Sequence, residues 1–176
     1  MSEELKIEIE KATQQAFAGL VELHPGRFYY FSLITTGEAH SPVVAAWSYE
    51  ALQEAVEGES DVKDAIWGLK WSYADSPYYC FGEEYFKNVE LLFGQRPDIR
   101  LLSGQERKDE FDLRLRAMEE AIAALDAKGV FGMGTSRNRI VVNVEVMPPD
   151  VSNTDRAKRL NPAEAIEEWL EEAAET

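Results

Sequence analysis

Apolar positions recur at steps of three and four over residues 3–23, where Leu5, Ile9, Ala12, Ala16, Leu20 and Leu23 share one helical face. Phe17 and Val21 widen that face, and Pro25-Gly26 ends the helix. The pattern then changes. Residues 27–36, RFYYFSLITT, are aromatic and β-branched on both alternations, which predicts a strand covered on both sides. Residues 42–47, PVVAAW, predict a second strand, hairpin-paired with the first across the 37–42 turn. Ser48 is placed to cap a helix over 49–56, and Gly58 breaks it. Residues 61–69 predict a short helix with Val62, Ile66 and Leu69 inward and Trp67 beside them.

Residues 70–81, KWSYADSPYYCF, lack regular periodicity and gather Trp71, Tyr73, Tyr78, Tyr79 and Phe81 around Asp75, Pro77 and Cys80. This stretch predicts an internal hub, with Trp67, Trp71 and Phe81 in the core, a turn at 75–77, and Tyr78 or Tyr79 at the surface. Residues 82–93 predict a further helix. Ser103 followed by Glu106 matches a capping box, and the helix it opens runs over about 106–128 with Phe111, Leu115, Met118, Ile122 and Leu125 as its seam. Residues 130–131 predict a short strand and 132–138 a loop. In 139–147, Ile140, Val142, Val144 and Val146 alternate with Asn143 and Glu145, a strand with one apolar and one polar face. Residues 150–160 form a polar segment with one helical turn. Asn161-Pro162-Ala163-Glu164 starts a last helix, anchored by Ile166, Trp169 and Leu170. The expected fold is one α+β domain over 1–176: an antiparallel sheet of three to four strands packed with several helices.

Charge changes the picture most. The chain has 33 acidic and 18 basic side chains, a net charge of −15. Such a surface repels nucleic-acid phosphate and anionic lipid and attracts basic proteins. The 50–64 stretch is a dense acidic spot, and Glu54, Glu57, Glu59, Asp61 and Asp64, with Tyr78 and Tyr79, are the candidate partner-binding residues. No apolar run has the roughly 20 residues of a membrane helix. The N-terminal stretch has no secretory pattern, and one cysteine suits a reducing compartment, so a cytoplasmic location is expected.

Catalytic chemistry is sparse. His24, His40 and Cys80 have no metal-site spacing, and no cofactor motif occurs. Cys80 reads as a buried, inert thiol, and Asp75 as a turn carboxylate rather than a general acid. Gly132-Met133-Gly134 precedes a strand, not the helix a phosphate cradle requires. Arg137, Arg139, Arg156 and Arg159 stand out against the acidic background, and with Asp75 opposite they form the candidate anion-binding cluster of a ligand-binding module or enzyme. A non-enzymatic scaffold or homodimer is the third reading.

Five features together resemble a bacterial family of uncharacterised proteins of this length: the N-terminal amphipathic helix, FYYFSLITTGE, KWSYADSPYY, the long helix into KGVFGMG, and KRLNPAE. The family's hub reads Trp-Ser-Pro then Ala-Asp-Trp, where this chain has Tyr73 and Ser76. Some members are encoded beside polymorphic toxins, where immunity proteins are common. The resemblance therefore implies an immunity or antitoxin-like protein that binds and blocks a basic toxin domain, and it implies no catalytic residues.

Overall fold

The computed structural model describes residues 2–176. Helix α1 (Ser2–Leu23) buries Leu5, Ile9, Ala12, Ala16 and Leu20, as the periodicity predicts, while Leu23 lies beyond the packed turn and is exposed. Strand β1 (Phe28–Thr36) is central. Strand β2 (Val43–Ser48) pairs with it antiparallel, and β3 (Val141–Met147) pairs with it parallel on the other side. The sheet is therefore mixed, in the order β2-β1-β3, and not the antiparallel sheet expected. Strand β2 returns the chain to the end where β1 begins, and the helical segments that follow carry it across to the other edge of β1, so β3 starts at that same end and runs parallel to β1.

Helix α5 (Gly104–Ala127) packs with α1 on one face of the sheet, against Phe31, Leu33, Val44, Val142 and Val144. Its seam of Leu115, Met118, Ile122 and Leu125 is buried, but Ser103 makes no side-chain cap bond. Helix α4 (Lys87–Gly94) follows a 3-10 turn at Glu83–Phe86. The opposite face carries Tyr30, Ile34, Ala45 and Trp47, covered by residues 69–73 and by α2 (Tyr49–Ala55). Both sheet faces are thus buried, and the polar alternation of β3 points into the protein: Asn143 and Glu145 are as enclosed as their valine neighbours.

Both outer edges of the sheet are closed by side chains and turns. On β2, the Ser76 hydroxyl donates to the Ala46 carbonyl and the Cys80 N–H donates to the Val44 carbonyl at 2.8 Å. On β3 the cover is α6 (Val151–Leu160), where the sequence suggested a single helical turn. Asn153 bonds both the N–H and the C=O of Val146, Arg156 donates to the Val144 carbonyl, and Asn161 bonds both the N–H and the C=O of Val142. Asn143 supplies the remaining acceptor to the Val144 N–H. Polar side chains here do the work of a fourth strand and block edge-to-edge pairing. Asn161 is consequently unavailable as a cap for α7 (Ala163–Glu172), whose first turn has no side-chain cap. Residues 130–131 form a turn, not a strand. Among the described residues, no helix is long and apolar enough to cross a membrane.

Candidate functional site

The four arginines proposed as an anion cluster do not converge. Arg137 is buried and bonded to Asp126, the carbonyls of Ile140 and Leu160, and Asn161. Arg156 is committed to β3 as described. Arg159 forms an exposed ion pair with Glu119 at 3.0 Å. Arg139 alone of the four lines a large open cleft of about 990 Å³, between α1, the starts of β1 and β3, and the exposed glutamates of α7. Asp75 is exposed and bonded to Ser72, so it faces none of them. Arg137 is engaged through Nε, Nη1 and Nη2 and Arg156 through Nε and Nη2 by oxygens of the fold, so both are buried as structural donors and not gathered into one anion site.

The acidic stretch is placed differently. Glu54, Glu57, Glu59, Asp61 and Asp64 are all exposed, at the end of α2, the connecting loop and the start of α3 (Val62–Leu69). Asp61 is partly employed as the α3 cap, accepting from the Asp64 N–H at 3.1 Å. Helix α3 has no buried residue, and only Ile66 and Leu69 lean on the core. Trp67, expected in the core, is 74% exposed, and Val62 is exposed beside the carboxylates. The sequence signal was available: inward positions Ile66 and Leu69 leave Trp67 on another face of a helix at 100° per residue. Tyr79 is exposed, while Tyr78 is half-buried and packs on His24 at 4.9 Å between ring centroids.

The hub supplies a third feature. Trp71 is anchored edge-on to Tyr29 and Tyr30 and donates through Nε1 to Glu172 on α7. Lys70, buried, bonds Glu168 and Glu172 at 2.5 and 2.8 Å, so α7 is fastened to the hub. Beside Trp71 lies a second open cleft of about 640 Å³, bounded by Tyr73, Met147, Trp169, Glu145 and Glu175. Glu145 is 7% exposed, and its Oε1 accepts from the Tyr30 hydroxyl at 2.7 Å. Burial pushes its carboxyl up to about 7; the Tyr30 and Ser32 hydroxyls pull it down less strongly, and Glu175 raises it further. Ser32 Oγ lies beside it without a hydrogen bond of good geometry, and Glu175 Oε2 is buried without any partner. Burial also holds the Cys80 thiol above its ordinary range, so it stays neutral. No cluster of three or more metal-ligating side chains occurs among the described residues.

These features define a helix-covered mixed-sheet protein with an exposed acidic stretch leading into an exposed helix, and with a carboxyl-bearing aromatic cleft. The chain belongs to the family described as a domain of unknown function, DUF4303, which matches residues 9–162. Neither a curated protein nor a solved structure matches the chain.

Proposed function

We propose that the chain is a non-enzymatic binding protein that docks a basic protein partner on α2–α3, and that this partner is a toxin domain which it blocks. The observation that carries the reading is Trp67, a 74% exposed indole on a helix with no buried residue, which follows in the chain the exposed carboxylates of Glu54, Glu57, Glu59 and Asp64. Asp64 and Trp67 are three residues apart on α3 and share a side of it. An exposed tryptophan on an acidic surface is the composition of an interface anchor, and carboxylates steer a basic partner onto it. The net charge of −15 extends the same field over the whole molecule.

Co-expression with a neighbouring basic toxin domain tests this. The wild-type chain is expected to protect the cell, and a Trp67→Ala, Asp64→Lys double variant, folded by circular dichroism, is expected not to. A toxin that kills equally with and without the wild-type chain overturns the proposal. Light scattering separates the remaining alternative: self-association that disappears in Trp67→Ala assigns the helix to a homodimer instead.

A further inference from the structure

The geometry points to the cavity between the hub, β3 and α7 as a binding site for a small organic cation, with Glu145 as its counter-charge and Trp71, Tyr73 and Trp169 as its aromatic wall. This site shares no residue with the proposed docking surface on α2–α3, and does not depend on it.

The walls set the chemistry. Three aromatic side chains line a cavity of about 640 Å³, large enough for a ligand and not only for water. Aromatic faces attract cations, most strongly where water is excluded. Trp71 shows the affinity within the chain: Lys70 Nζ lies 5.1 Å from its ring centroid, neutralised by Glu168 and Glu172.

The carboxyls set the sign. Glu145 is more than nine-tenths buried, and one of its oxygens holds the Tyr30 bond while the other accepts no bond of good geometry. Glu175 borders the same cavity, and its Oε2 is buried with no donor. A buried carboxylate without a donor is costly, and the chain elsewhere satisfies such groups fully, as at Glu110 between Arg96 and Arg114. The charged and polar groups that act on Glu145 are Tyr30 and Ser32 from β1, Arg156 from α6 and Glu175 from the C-terminal segment. Arg156 is spent on the Val144 carbonyl and Asn153, so it does not close the pair.

Two carboxyls are too few for a metal cage, and His and Cys are absent from the cavity lining. A quaternary or primary ammonium satisfies both observations: its charge meets the carboxyls, and its carbon shell meets the rings. Because the Glu145 carboxyl ionises near neutrality, the site binds a cation more tightly as pH rises through about 7.

The test uses choline, whose charge does not titrate, and its uncharged carbon isostere 3,3-dimethyl-1-butanol, followed by tryptophan fluorescence and calorimetry on the full chain. Choline is expected to bind saturably, and about tenfold more tightly at about pH 8.5 than at about pH 5.5. Glu145→Gln keeps an acceptor for Tyr30, and it is expected to weaken choline about tenfold at the higher pH and to flatten the pH profile. Arg139→Ala, in the other cleft, is expected to leave binding unchanged. Equal binding of the isostere, equal binding by folded Glu145→Gln, or no saturable signal from the wild-type chain each overturns the assignment.

Discussion

Strand β3 presents two polar surfaces, and they are finished to different standards. Along its outer edge Asn153, Arg156 and Asn161 close every free backbone group of Val142, Val144 and Val146, with Asn143 supplying the last acceptor. On its inward face Glu145 has one bonded oxygen, a raised carboxyl and an unpartnered neighbour in Glu175. Both regions are buried and both use charged residues. Only the first is complete. A matched buried network is what a fold needs for itself, whereas an unmatched buried carboxyl at a cavity carries a stability cost that folding alone does not explain.

The sharpest way to break the comparison is to damage the completed edge. Asn153→Leu strips both Val146 groups and one Arg156 partner at once, and is expected to cost about 3–4 kcal/mol in urea denaturation. A cost below about 1 kcal/mol removes the structural role assigned to α6.

The next effect has the opposite sign. Glu145 has an ordinary value of 4.5 and is raised to about 7 in the folded chain. Below about pH 4.5 both the folded and the unfolded chain hold the proton. Between about 4.5 and 7 the folded chain alone holds it, so stability falls as pH rises, and above about 7 the full cost of about 3 kcal/mol is in place. Glu145→Gln removes that cost and is expected to stabilise the protein at about pH 8 by about 2–3 kcal/mol.

The smallest stability change belongs to the exposed helix. Trp67→Ala is expected to leave the folding free energy within about 0.5 kcal/mol of wild type, because the indole touches little of the core, and, on the proposed docking role, to weaken binding of the basic partner. A large destabilisation instead identifies Trp67 as a packing residue.

Periodicity was enough to find α1, α5 and the β1–β2 hairpin, because each buries one regular apolar stripe or run. It could not find α6. The residues that α6 turns inward include Asn153 and Arg156, which hydrogen-bond the edge of β3, and Thr154, which donates to the Glu175 carbonyl; their polar burial obscures the apolar period. The same polar closure hid the true use of Arg137, Arg156 and Asn161, which look like ligand or cap residues until their carbonyl partners are in view. Parallel pairing of β1 with β3 is a long-range choice that local pattern does not encode. Alternation places Glu145 on the polar face of 139–147, and in a sheet packed on one side such a face meets water. Here a second layer covers that face. The acidic surface, by contrast, was plain in composition, and Glu54, Glu57, Glu59, Asp61 and Asp64 all lie in the open.

Paired urea titrations of the wild-type chain and Glu145→Gln at about pH 5 and about pH 8 test most directly whether the inward face of β3 holds an unmatched carboxyl. A small difference at the lower pH is expected to widen by about 2 kcal/mol in favour of Gln at the higher one. Two stability curves that run parallel between those pH values would contradict it.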